Sequence, residues 1–108
     1  MTLDRLSAFD ADPAAGEVLD GELAVTDDVL VKAFALGPDA RIDPHEHGDA
    51  TNVFHVLRGA VTVRRDDEEE AVAAPGVVLN ERGQVHGAHN HTDEVAVLTA
   101  SLCPLPGQ

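Results

Sequence analysis

The sequence predicts an all-β fold, a sandwich or barrel, on three observations. From residue 22 onward the chain breaks into short Val-rich segments separated by turn residues. Segments such as 53–57 and 85–90 alternate side chains between two faces. No stretch after residue 21 shows a dozen residues of 3.6-residue apolar periodicity, so no long amphipathic helix is expected. With 108 residues there is enough chain for one core and too little for two ordinary domains.

Residues 1–21 mix Asp, Pro, Ala and Gly without sustained periodicity and are expected to form an N-terminal arm packed on the body or on a second subunit. The barrel domain is expected over 22–108, with strands at 22–26, 29–36, 40–42, 53–57, 60–65, 70–73, 77–79, 85–90 and 94–102. Gly37-Pro38-Asp39, Arg58-Gly59 and Asp66-Asp67 punctuate them as turns. The acid run Asp66-Asp67-Glu68-Glu69-Glu70 reads as a solvated hairpin tip, where like charges face water.

Composition narrows the partners. Twenty Asp and Glu against seven Lys and Arg give a formal charge of −13, which repels phosphate backbones and anionic lipid headgroups. Neither nucleic acid nor membrane is expected as a partner. Lys32 is the only lysine, a balance that resembles proteins of salt-accumulating organisms. The lone Cys103 cannot form an internal disulfide and reads as a structural thiol. The first ten residues carry acids and lack an apolar signal core, and every apolar run is far below the roughly 20 residues that span a bilayer. A soluble cytoplasmic protein is the expectation.

The chemistry concentrates in PHEHGDATNVFHVLRG, residues 44–59. At i and i+2 of an extended segment, His45 and His47 point to one side and Glu46 to the other. In the next strand Asn52, Phe54 and Val56 share a face, and Val53, His55 and Leu57 share the opposite one. Downstream, His86, Ala88 and Asn90 are grouped against Val85, Gly87 and His89. A metal needs three or four donors drawn together, and neutral imidazole is the commonest. His45, His47 and His86 form the economical set. His55, His89 and His91 are expected in surface or interface roles by parity and polar setting.

These residues resemble the two signature motifs of the cupin superfamily, in its small single-domain form. The first motif is matched by Gly37, His45-Glu46-His47, position 52 and Gly59, and the second by Gly83-Gln84-Val85-His86 and Asn90. Three departures stand out: Asn52 where the family usually has Glu, Glu81 in place of the usual Pro, and an interval from Gly76 to Gly83 one residue shorter than is common. The resemblance covers about residues 22–102. It implies a double-stranded β-helix (jelly-roll) barrel, usually a homodimer, holding one divalent transition metal per subunit (Fe, Zn, Ni, Mn or Cu). Carried over residue by residue, it makes His45, His47 and His86 metal ligands and leaves the carboxylate ligand missing. Asn52 either coordinates through its amide oxygen or leaves the position to water, and Asp49 is the one substitute carboxylate in reach.

Three neutral ligands leave the cation its full charge and open positions for water, dioxygen or a chelating anion. That suits a dioxygenase-like enzyme acting on a small anionic or enolisable substrate, in a pocket walled by Phe54, Val56, Ala88 and Asn90. No catalytic base is evident; Glu81 is the nearest candidate. The alternatives are a barrel that binds or senses a small ligand without turnover, and an assembly unit whose histidines only pin the core. Subunit contacts are expected from the face carrying Val53, His55 and Leu57, together with the arm.

Overall fold

The computed structural model describes residues 3–104. After a 3-10 turn at Leu6–Ala8 the described chain is almost entirely extended: β1 Val18–Val25, β2 Leu30–Leu36, β3 Arg41–His45, β4 Thr51–Arg58, β5 Ala60–Arg65, β6 Glu68–Ala73, β7 Gly76–Asn80, β8 His86–His89 and β9 Ala96–Cys103. Every pairing is antiparallel. One sheet has the order β1-β2-β9-β4-β7, the other β3-β8-β5-β6. This is the all-β double-stranded β-helix that the sequence predicts. The nine expected segments all fall on strands, with edges displaced: β1 begins at Val18 rather than 22, and β9 at Ala96, because residues 92–94 are taken up in a bend.

The core lies between the sheets. Alternation puts Leu36 of β2, Phe54 and Val56 of β4 and Leu98 of β9 on the inner face of the larger sheet, at 0–1% exposure. Val61 and Val63 of β5 and Ala88 of β8 meet them from the smaller one. Each large apolar side chain buried this way stabilises the fold by about 1.5–3 kcal/mol. At the β4–β5 turn, Gly59 holds φ 72°, and a Cβ there would stand 2.8 Å from the Val95 carbonyl oxygen. That turn tolerates no side chain.

The arm packs on its own barrel. The Gly16 N–H donates to the Pro38 carbonyl at 2.7 Å and the Gly37 N–H to that of Glu17 at 3.0 Å. The Phe9 ring sits against Gly21, which pairs with Ala33 across β1–β2, so the outer face of that sheet is covered where Ala33 and Ala35 are fully buried. No helix among the described residues is long and apolar enough to cross a membrane.

Asn90, just past β8, ties one end of the barrel together. Its Nδ2 donates to the carbonyls of Leu36 (2.9 Å), Gly37 (3.1 Å) and Glu94 (2.8 Å), and its Oδ1 accepts from the N–H (2.9 Å) and hydroxyl (2.7 Å) of Thr92. Its backbone joins the same clasp: Asp39 donates to its carbonyl at 2.8 Å, and its N–H donates to Ala40 at 2.9 Å.

Candidate metal centre

His45 comes to line a cavity beside the barrel core, while staying exposed itself, because β3 is bulged. Ile42 pairs with Ala88 and His45 with His86, so three steps on β3 face two on β8. Strict alternation would put residues 42 and 45 on opposite faces; the extra residue turns both inward. Pro44 sits in the bulge, one of the few places where a strand accepts a residue lacking an N–H. Gly87 on β8 lets the bulged chain come close, since a Cβ there would stand 2.8 Å from the Ile42 carbonyl oxygen and 3.1 Å from the Pro44 nitrogen.

His47 follows in the β3–β4 loop, and His86 opens β8. Their ring centroids lie 4.9 Å (His45–His47), 4.5 Å (His45–His86) and 5.4 Å (His47–His86) apart. One nitrogen from each falls within 4.8 Å of the others. The three histidines expected to converge therefore do so, and among the described residues they form the one group of three or more His, Cys, Asp or Glu with metal-ligand spacing.

Two of the rings are held in a definite tautomer. The Nδ1 of His45 lies 2.8 Å from the Asp43 carbonyl oxygen and that of His86 lies 3.1 Å from the Gln84 carbonyl oxygen. A carbonyl only accepts, so each Nδ1 carries a proton, and in the neutral ring the lone pair then lies on Nε2. The Nε2 of His86 is buried with no hydrogen-bond partner. Burial above all pushes the His86 pKa down to about 4; the hydrogen bond to the Gln84 carbonyl pulls it up by less, and the neighbouring His45 and His47 rings lower it a little further. His47 is lowered by burial and by His45. Near neutral pH both imidazoles are free bases, the form that binds a cation.

Beside the rings is a cavity of about 260 Å³. Leu30, Phe34, Ile42, Phe54, Ala100 and Leu102 give it apolar walls, and Lys32, His45, His47 and Asn52 its polar groups. Phe54 also meets His86 edge-on at 5.5 Å. Of the expected pocket residues, Phe54 lines the cavity. Val56, Ala88 and Asn90 do not: Val56 and Ala88 are sealed in the core between the sheets, and Asn90 belongs to the clasp. Asn52 faces the cavity, with its amide oxygen accepting from Asn80 Nδ2 at 3.0 Å. The two asparagines are register neighbours on β4 and β7, which sets up the contact.

Neither carboxylate weighed from the sequence enters the site. Asp49 is exposed in its loop and outside the histidine group, and Glu81 is exposed with its N–H bound to Gln84 Oε1 at 2.8 Å. His55 is exposed on the outer face of β4. The His89 and His91 rings lie 3.8 Å apart between centroids, tilted by 46°, near the surface, with His89 Nε2 3.0 Å from Asp39 Oδ1.

The acid run differs from a purely solvated tip at its first residue. Asp66, at φ 53°, donates its N–H to the Val85 carbonyl at 2.7 Å and accepts the Val85 N–H on Oδ1 at 3.0 Å. It thereby pins the loop that delivers His86. Also absent from the sequence reading are the walls from β2 and β9 and the lysine among them.

The family model described as a cupin domain matches residues 32–102. Among solved structures, the TT1209 protein from Thermus thermophilus superimposes with a TM-score of 0.88 at 24% identity, covering 98% of this chain and 100% of that one. KdgF from Halomonas sp. gives 0.80 at 17% identity, covering 94% and 91%. A predicted oxalate decarboxylase from Thermotoga maritima gives 0.78 at 19%, covering 83% of each. No curated protein matches the chain. Since the matched segment takes in the inner faces of both sheets and all three converging histidines, the chain belongs to the cupin family.

Proposed function

We propose that His45, His47 and His86 hold one divalent transition metal through their ring nitrogens, and that the adjoining cavity admits a small anionic or enolisable ligand to it. The observation that carries this reading is the buried, unpartnered Nε2 of His86, on a ring whose other nitrogen is held by a carbonyl and whose neighbours are two more imidazoles. A buried polar atom without a partner is costly, and a carbonyl orienting a ring from behind is what ligating histidines usually have. Asn52 adds no charge, so a divalent ion here would keep its full positive charge and favour anions.

The chemistry such an ion would supply, were it iron, is redox activation of a bound enolate toward dioxygen, both oxygen atoms ending in the product. The protein's own share is to place the donors, exclude bulk water with Phe34, Phe54, Leu30 and Leu102, and admit a ligand of a few carbons. A second reading, a binder without turnover, is favoured by one observation: among the described residues no carboxylate lines the cavity to serve as a general base.

Elemental analysis of protein purified without chelators or a histidine tag tests the metal reading. One divalent ion per chain is expected, and His86→Ala should lower affinity at least about 100-fold. Wild type that holds no ion and takes none up from millimolar divalent salts overturns it. Iron-loaded protein consuming oxygen with acetylacetone supports the oxidoreductase; a raised melting temperature without consumption supports the binder.

A further inference from the structure

Among the described residues that line the cavity, one carries a permanent charge. Lys32 stands on the inner row of β2 between Leu30 and Phe34, with the buried Leu36 beyond. Its ammonium lies 2.8 Å from Asp20 Oδ2 on β1 and 5.2 Å from the centroid of the Phe34 ring, itself a wall of the cavity.

Stability gives this placement little reason. The side chains of Lys32 and Asp20 are 32% and 50% exposed, and ion pairs that open to water contribute little. An aliphatic residue at the same point would continue the apolar row. The ammonium has three donors, and Asp20 takes one. What remains are two ammonium donors on a side chain that lines an apolar cavity, in a protein whose net charge of −13 repels anions from a distance. An anion that enters has to be held by local charge.

We propose that Lys32 is the specificity-determining residue of the cavity and that the ligand is a small dicarboxylic acid: one end chelates at the three-histidine site, and the distal carboxylate pairs with the Lys32 ammonium. The inference rests on the metal reading above. Asp20 and the Phe34 ring steady the ammonium, and the apolar walls between the two cationic points select a short carbon chain over a second polar group. An acid with a single carboxylate reaches only one of the two points.

The test uses the full chain loaded with Co²⁺, whose visible bands report both metal uptake and ligand binding. L-malate and L-lactate offer the same α-hydroxy acid head and differ in the second carboxylate. Wild type is expected to bind malate at least about tenfold more tightly than lactate. Lys32→Met should bring the two within about twofold by weakening malate far more than lactate, and Lys32→Arg should retain the preference. A preference that survives Lys32→Met, or wild type binding both acids equally, overturns the proposal alone. Protein that takes up no cobalt overturns the metal reading, and this proposal with it.

Discussion

His86 and Asn90 lie four residues apart on one inward row, at 1% and 0% exposure, yet their polar atoms are treated in opposite ways. Asn90 spends its amide hydrogens on three carbonyls and its oxygen on two donors from Thr92. His86 has one nitrogen bonded and the other facing no partner at all. A fully bonded buried polar group is architecture, since it joins elements that would otherwise separate. Among the described residues Asn80 Oδ1 is the other buried side-chain atom without a partner, but only the His86 lone pair faces two further imidazoles, which suits it to the metal proposed above. The barrel is therefore sewn shut at the asparagine, whereas at the histidine a buried nitrogen is left unbonded, as the proposed metal site requires.

The largest test of that contrast is Asn90→Ala. It leaves the Leu36, Gly37 and Glu94 carbonyls without their shared donor and frees Thr92, so a loss of about 3–5 kcal/mol is expected. Thermal unfolding should show it as a fall in melting temperature of more than about 10 °C. His86→Ala, by the same reasoning, should lose its metal while unfolding much closer to wild type without metal. If Asn90→Ala melts like wild type but no longer binds metal, the two ends have been assigned the wrong way round.

Why the sequence assigned Asn90 to the pocket is instructive. Alternation says which face a residue shares, and it put His86, Ala88 and Asn90 together, as the barrel does. It does not say how far along the strand each lies. Four residues of extended chain cover about 13 Å, enough to carry the row from one end of a small barrel to the other. The histidine set was legible because three donors of one type stood at spacings that only a shared cavity explains. The walls from β2 and β9 were hidden in another sense, for the order β2-β9-β4 is a matter of long-range pairing that no single segment reveals. Asp66 was hidden likewise, its partner Val85 lying nineteen residues away. Lys32 was visible in principle, as one charged residue in the apolar alternation Leu30, Phe34, Leu36.

A second test sharpens the contrast through pH, since Asn90 does not titrate and His86 does. Folding holds His86 neutral down to about pH 4, whereas an unfolded chain takes up that proton near the ordinary value of 6.5. Between those values the unfolded state binds more protons, so the stability that His86 contributes is complete above pH 6.5 and is lost as pH falls toward 4. The full difference amounts to up to about 3 kcal/mol. Urea unfolding of metal-free protein across this range, compared with His86→Gln, should show the extra loss in wild type only. Parallel pH curves for the two proteins would mean that His86 is not held neutral by the fold.

The smallest expected effect comes from the outward side of β8, at the residue between His86 and Ala88. Gly87 faces the bulge of β3 so closely that a methyl group would meet the Ile42 carbonyl oxygen at 2.8 Å and the Pro44 backbone at 3.1–3.2 Å. Both are backbone atoms and cannot swing aside, so Gly87→Ala has to push β3 outward, at about 1–3 kcal/mol. The strand that moves is the one carrying His45, while Asn90 and its clasp lie beyond the disturbed register. Metal affinity should therefore fall by about tenfold while the variant stays folded, read by competition against a chelating dye and by melting temperature on the same sample. A change that lowered stability but left affinity untouched would show that the bulge serves the sheet and not the histidine, and would separate Pro44 and Gly87 from the inward turn of the His45 ring.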